Sequence, residues 1–589
     1  CIDSMSTDKI VVQIQPTDPS TNAEPALSAI SLPFHVYIDN INLNTFSLEV
    51  KDTASISWQK LTIKLDFYQR LRIEKMQLDG FNLTTFATDT SQVATQAEPF
   101  DWTTWQYQPI TPLPIVLPIH FDVLAFNMSA ASLQLAEQQE IKLQKISLKV
   151  KGSKKKVQLD ELLVEHEQGR LLATGNVQLN GNFEHVFSVD ANANWVEQTP
   201  LKLSFRSSGN IHSLSTQVEL VETTLSTQTH TVNPQAKPLK LLMDLTAQAS
   251  KATLPVTMRL GWSYLEWPLA DPELTSESGL IDIKGDLNAL KMAIQTMVSG
   301  TNIPDTKINL SAIAASTAQD KNVELNELLL KTLGGQVLSK GKLTFSEYID
   351  WQGSFAISHL DPSVLWPELV ADINGEVLTQ ANNSQGIWKA KLNKLDINGQ
   401  WQGYPLSASG SADFHQNTGL QLRALSLKNA NNILLLDGGV SKQQELDIKF
   451  MLDAADLSNS LPELEGTLNL VGNLSGSTEQ PELTYELLGN NLLVSEVFVE
   501  QAVGNGNIKW NEQKPVALNL ELTGIQGINN QVDSAKIVII GDASDHQLDL
   551  TTSGQSTRVN LSLQGQLSQT SWHGNWLSGD IESSYANLT

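Results

Sequence analysis

The sequence predicts an all-β protein: a long, twisted, curled sheet of antiparallel type that forms a lengthwise hydrophobic groove, with only short helical turns. Three observations carry this expectation. Apolar residues alternate with polar ones at period two along most of the chain, turn residues recur roughly every ten to fifteen positions, and glycines keep falling on the apolar parity of the strands.

The alternation is continuous from one segment to the next. It runs through Leu61, Ile63, Leu65 and Phe67, then Ile141 and Leu143, then Ile146, Leu148 and Val150, and then Leu201, Leu203 and Phe205. It is still present in Leu518, Leu520 and Leu522 and in Leu548 and Leu550. Such spacing places every apolar side chain on one face of a strand. Between the runs lie Asn180-Gly181, Ser208-Gly209, Gly334-Gly335, Gly438-Gly439 and Gly504-Asn505-Gly506, each read as a turn. The stretch holding Leu287, Leu290, Ile294 and Met297 fits a helix or a strand by spacing, and its neighbours favour a strand. Short helical turns are expected at Asp361-Pro362-Ser363, where Asp caps and Pro takes the first position, and within 453–461, ended by Pro462.

Two segments break the rhythm. Residues 16–33 and 87–118 are rich in Pro, Thr, Gln and Ala and read as connections over the surface; the second carries Trp102 and Trp105, which would dock it. The expected organisation is a first β segment at 1–86, a connection at 87–118, and a continuous groove-forming segment at 119–589.

The glycines are Gly175, Gly285, Gly341, Gly410, Gly472 and Gly565. On an inner face a glycine lets a sheet fold over without side chains colliding at the crease. Ordinary sandwich strands with occasional bulges remain the alternative. If the sheet curls, its inner wall holds Val177, Leu179, Ile281, Ile283, Leu343, Phe345, Leu468, Leu470, Leu561 and Leu563. Roughly 40 strands at about 4.8 Å each would make a rod on the order of 190 Å, apolar inside and acidic outside. Such a trough suits acyl chains, because each buried methylene contributes about 0.8 kcal/mol.

Composition narrows the function. Among 589 residues, 39 Lys and Arg face 64 Asp and Glu, a net charge of −25, so nucleic acid is excluded as a partner. Hydrophobic residues make up 41%, enough for extensive burial. The single cysteine rules out an intrachain disulfide and a Cys-rich metal site. The longest apolar runs, such as Ile537-Val538-Ile539-Ile540, fall far short of the roughly 20 residues of a membrane-spanning helix. Cys1 reads either as a lipidated first residue or as the cut end of a piece from a longer chain, and the second reading is favoured.

The ten histidines show no zinc-helix spacing, and Glu165-His166-Glu167 reads as an exposed strand whose two Glu lie opposite His. No nucleophile elbow, P-loop or dinucleotide fingerprint occurs; Gly504-Asn505-Gly506 lacks a third glycine and is placed between strands. Lys149, Lys151 and Lys154-Lys155-Lys156 form the one basic cluster, read as a solvated turn. No catalytic residue, cofactor or metal is expected.

Four stretches resemble the TamB family of AsmA-like proteins. They are Leu254-Pro255-Val256-Thr257-Met258 leading through Leu265-Glu266-Trp267-Pro268-Leu269 to Asn302-Ile303-Pro304-Asp305; Trp351-Gln352-Gly353 followed by Asp361 and Trp366-Pro367; Ala455-Asp456-Leu457-Ser458-Asn459-Ser460-Leu461-Pro462-Glu463-Leu464-Glu465-Gly466; and Gly472-Asn473-Leu474-Ser475-Gly476 with Pro481-Glu482-Leu483. The opening, Cys1-Ile2-Asp3 to Ile10-Val11-Val12-Gln13-Ile14, resembles an internal strand pair of the same family. The resemblance implies a β-taco groove in the periplasm of a Gram-negative bacterium, anchored in the inner membrane by an N-terminal helix outside these residues. It also implies a TamA-like barrel partner in the outer membrane, passage of phospholipid between membranes, and assembly of outer-membrane protein clients including autotransporters. A strand-binding chaperone without lipid transport, or a secreted β-solenoid adhesin, are the alternatives.

Overall fold

A computed structural model describes residues 5–7, 10–14, 34–50, 53–85, 106–112, 115–135, 140–194, 200–223, 238–268, 272–316, 321–345, 348–461, 463–509, 516–527, 530–542, 544–554, 557–567, 572–583 and 587–588. Among them the structure is almost entirely strand, with no α-helix. The chain divides into two compact units, Cys1–Ile303 with Ile313–Ala318, and Pro304–Ala312 with Gln319–Thr589.

From His120 onward the described strands pair with their sequence neighbours, antiparallel, as an open curled sheet. The curl is legible in the exposure of the two faces. Along Lys240–Ala247 the inward Leu241, Met243, Leu245 and Ala247 are half-buried, whereas Lys240, Leu242, Asp244 and Thr246 are exposed. Ala289–Gly300 alternates in the same way. Among the described residues no second layer packs on either face, so only concavity makes one face less accessible than the other. Enclosure is incomplete. The fully buried apolar side chains are few and small, among them Ala312, Ala454 and Ala502 at 2–3% exposure.

Bending comes from local irregularities in the ladders. Register shifts fall at Leu159/Leu162, Thr275/Ser278, Leu325/Leu328, Ile357/Leu360, Leu392/Leu395 and Leu422/Leu425. A bulge leaves one residue unpaired and steepens the local bend. His359 and Ala424, each inside such a shift, take φ of 53° and 47°.

The sheet is not uniformly antiparallel. Arg70–Asp79 and Asn82–Thr85 both run parallel to His120–Leu135, and Met5–Thr7 and Ile10–Ile14 run parallel to Val36–Leu43 and Phe46–Val50. Parallel neighbours need a crossover. In the sequence the parallel strands are separated by the Pro-rich segments 16–33 and 87–118. The first, and Trp102 and Trp105 of the second, lie outside the described residues. The described end of the second is laid along the hairpin turns of one sheet edge. Tyr107 Oη donates to Ala249 O (2.6 Å), Ile110 N–H to Ala249 O (2.9 Å), Ile115 N–H to Leu179 O (2.9 Å) and Leu117 N–H to Lys154 O (3.4 Å).

Both expected helical turns form, as 3-10 turns at Pro362–Val364 and Leu457–Asn459. Asp361 and Asp456 cap them by accepting from the backbone N–H of Ser363 (3.0 Å) and Ser458 (3.1 Å). Pro462 lies outside the described residues. Asn432, 5% exposed, clamps the second: its Nδ2 donates to Asp456 O (2.6 Å) and Ser460 Oγ (2.8 Å), and its Oδ1 accepts from Asp456 N–H (3.0 Å).

Three turn readings are corrected. Ser208-Gly209 lies inside Pro200–Asn210, Gly438-Gly439 inside Asn432–Ser441, and Gly504-Asn505-Gly506 inside Val497–Lys509. In the first case the turn comes later, where Asn210 Oδ1 accepts from the backbone of His212 (2.9 Å) and Ser213 (3.0 Å). A side chain that satisfies the turn's N–H groups makes glycine unnecessary there. Glu165-His166-Glu167 is also not one strand, because the strand Lys156–His166 ends at the histidine and His166 Nδ1 accepts from Gln168 N–H (3.1 Å).

Candidate functional site: the apolar face of the sheet

Direct antiparallel partners share a face, so the register assembles the inner wall strand by strand. In the first unit one row runs Ile41–Ile63–Met76–Phe126–Leu148–Leu162–Ala173–Val189–Phe205–Val218–Met243–Leu260–Ile281–Ile294 without a polar residue. In the second, a row runs Leu330–Val337–Ile357–Gly375–Ile397–Ala408–Leu427–Leu434–Leu452–Leu470–Leu487–Gly504–Leu520–Ile537–Leu550–Leu561–Gly579. At about 4.8 Å per strand these rows extend roughly 60 and 75 Å within their units.

Nine of the ten sequence-derived wall residues fall on this face; Leu179 does not, because its strand ends at Gln178 and it lies in the bend that follows. Ile281 belongs to the first row, and Leu470 and Leu561 to the second. Ile283 pairs with Met258 and Met292, and Leu563 with Leu548 and Trp576. Val177 pairs with Val157 and His185, Leu343 with Val323 and Trp351, and Phe345 with Ile349. Leu468 pairs with Ala454 and Gly489. All are half-buried, whereas Leu179 is buried at 9% where the edge connection crosses it.

The six glycines sort into two kinds. Gly285 (φ +139°) and Gly410 (φ +158°) occupy backbone conformations that side chains disfavour. The other four lie beneath aromatic rings. A Cβ at Gly341 would meet the Trp351 ring at 2.6 Å and one at Gly472 the Phe450 ring at 2.5 Å; at Gly565 it would strike the Trp572 ring and at Gly175 the Phe187 ring. Sequence reasoning missed these rings. The available signal was the shared parity of Trp and Gly in Trp351-Gln352-Gly353 and Trp572-His573-Gly574.

The polar side chains that do face inward bond to one another. Thr216 Oγ1 donates to Ser207 Oγ (3.2 Å), which also lies 3.1 Å from His185 Nε2. The outer face carries the charge. Lys149 pairs with Glu161 (3.0 Å), Lys151 with Asp160 (2.7 Å), Lys394 with Glu376 (3.0 Å) and Lys536 with Glu521 (2.6 Å). Hydrogen bonds from Lys151 and Lys149 hold the carboxyls of Asp160 and Glu161 below their usual range. Among the described residues no three His, Cys, Asp or Glu side chains converge as a metal site, and no helix is long and apolar enough to cross a membrane.

An open curled sheet with an apolar row along one face in each unit and charge on the other face is the architecture of the β-taco class. The family described as TamB, N-terminal domain, matches residues 1–589, and the chain belongs to it. The translocation and assembly module subunit TamB of Haemophilus influenzae is 22% identical over 599 residues, which cover 95% of this chain and 44% of that protein. The chain thus spans less than half the length of this curated relative. No solved structure matches.

Proposed function

We propose that this chain is the periplasmic part of a translocation and assembly module protein linking the inner and outer membranes of a Gram-negative bacterium. Its groove carries phospholipid acyl chains between the membranes. Together with a TamA-like outer-membrane barrel, it supports assembly of outer-membrane proteins and autotransporters. It does so without covalent chemistry, by offering an apolar path through water.

The observation that carries this reading is the pair of unbroken apolar rows whose side chains stay half-buried, apart from Leu427 at 42% exposure. A sheet that filled its own interior would bury them. Here each methylene of a guest that leaves water gains about 0.8 kcal/mol. Within each row the side chains are apolar throughout, and the inward Ser207, Thr216 and His185 off the row are bonded to one another, so a chain can shift from strand to strand without crossing a large barrier.

Photocrosslinking amino acids test this at the wall positions Val177, Ile281, Leu343, Leu470 and Leu561. Phospholipid adducts are expected there and not at the outward Lys284, Lys342, Asn469 and Gln564, which are exposed. Equal labelling on both parities would refute the reading.

A further inference from the structure

The groove wall contains tryptophans laid flat, each over glycine and each tied sideways through its indole N–H. Trp262 sits opposite Gly279 in the ladder, and a Cβ built at Gly279 would fall inside the ring. Its Nε1–H donates to Ser276 Oγ (2.9 Å), which lies 2.8 Å from Thr296 Oγ1. Trp351 covers both Gly341 and Gly353, and its Nε1–H donates to Thr379 Oγ1 (3.0 Å). Trp572 covers Gly565 and Gly574, and its Nε1–H donates to His546 Nε2 (2.7 Å). The His546 ring is itself held by Nδ1 against Asp542 O (3.0 Å).

We propose that these tryptophans set the bore of the groove: glycine beneath and the indole hydrogen bond beside hold each ring against the wall, so that an acyl chain can pass over its face. This inference rests on the acyl-chain reading above and names residues that control passage. The physical argument is steric and polar together. A bulky indole on a concave wall has two places to go, flat along the backbone or out into the lumen. Flat posture requires that no Cβ stand beneath it, which glycine alone provides. It also requires a partner for the N–H, since an unpaired indole in an apolar groove forfeits a hydrogen bond. All three sites meet both conditions with different partners: a serine, a threonine and a histidine. Phe450 over Gly472 and Tyr485 over Gly506 meet the steric condition alone.

The Trp262 site allows a controlled experiment. Gly261, next to Trp262 but on the opposite parity, has ordinary space for a Cβ, its nearest neighbour being 3.8 Å away. A photocrosslinking amino acid at Ile281, on the same strand and face as Gly279, reports local acyl-chain occupancy after incubation with phosphatidylcholine vesicles. Gly279→Ala forces the ring off the wall and is expected to lower the Ile281 adduct several-fold, while the adduct at Leu470 in the other unit is unchanged. Gly261→Ala is expected to change neither. Trp262→Ala combined with Gly279→Ala removes the displaced ring and restores the Ile281 adduct. Ser276→Ala, which frees the ring without adding an atom beneath it, lowers that adduct as well and serves should Gly279→Ala disturb the strand pair. Unchanged adducts in both Gly279→Ala and Ser276→Ala, or a double variant that stays low, would overturn the inference. No adduct at Ile281 in the unsubstituted protein would instead overturn the acyl-chain reading itself.

Discussion

Truncating a wall residue distinguishes an open groove from a filled core. Leu470 is half-buried, with Leu452 and Leu487 beside it on neighbouring strands. Leu470→Ala removes three carbons, worth about 2.4 kcal/mol if fully buried at about 0.8 kcal/mol each. Half burial reduces this to about 1.2 kcal/mol. The cavity contribution, which takes Leu→Ala in packed cores to about 3–5 kcal/mol, is absent because the side chain faces open space. Hydrogen exchange read on Leu464–Ser477 and Pro481–Val494 is the appropriate assay, since so long a ladder opens locally. Protection is expected to fall roughly eight-fold, the equivalent of about 1.2 kcal/mol. Leu457→Ala, at the buried first residue of the second 3-10 turn, 8% exposed, is expected to show the larger packed-core loss. A loss at Leu470 of more than about a hundred-fold, near 3 kcal/mol, would mean the wall is packed against something and the open-groove argument is wrong.

Other outcomes follow from the same geometry. Asn432→Leu strands the backbone groups of Asp456 and is expected to cost about 2–3 kcal/mol by urea denaturation; a neutral result would show that the clamp is redundant. Lys536→Ala breaks a pair in which both partners are about half exposed, and is expected to shift stability by no more than about 0.5 kcal/mol. Acid should weaken the sheet. Asp160 and Glu161, paired with lysines, Asp542, bonded by Ser544 and by the backbone N–H of Asp545 and Ser544, and Asp549, bonded by Ser562 and Gln547, all have depressed pKa values. Their stabilisation is therefore present above the unfolded values near about 4 and lost as pH falls through the folded ones. The urea midpoint is expected to drop from about pH 5 toward pH 3, and a rising midpoint would contradict the assignment.

Strand parity was legible in the sequence because period-two alternation survives wherever one face leaves water, as in Leu201, Leu203 and Phe205. The parallel neighbours Arg70–Asp79 and His120–Leu135 are separated in the sequence by the Pro-rich 87–118, as a parallel pair requires a long connection. Turns were harder, because glycine has two uses. In Leu333-Gly334 it makes a turn, whereas in Gly504-Asn505-Gly506 it seats the neighbouring Tyr485 ring within a strand. Which use applies depends on the residue across the ladder, and that partner is fixed only by register. The register shifts were hidden for the same reason. A bulge at Leu422/Leu425 carries no composition of its own, and Ala424 takes a left-handed φ without a glycine. The indole anchors Ser276, Thr379 and His546 are ordinary strand residues until a tryptophan two strands or many residues away is placed beside them.

Adjacent residues on opposite faces test the account most directly. Leu470 points to the wall, whereas Val471 is 44% exposed on the outer face. A small fluorophore is attached at one position or the other, and the protein is loaded with phospholipid bearing a nitroxide midway along one acyl chain. Strong quenching at 470 with little at 471 is the predicted result. Equal quenching at both, or none at either after loading, would mean that the hydrophobic face is not where acyl chains travel.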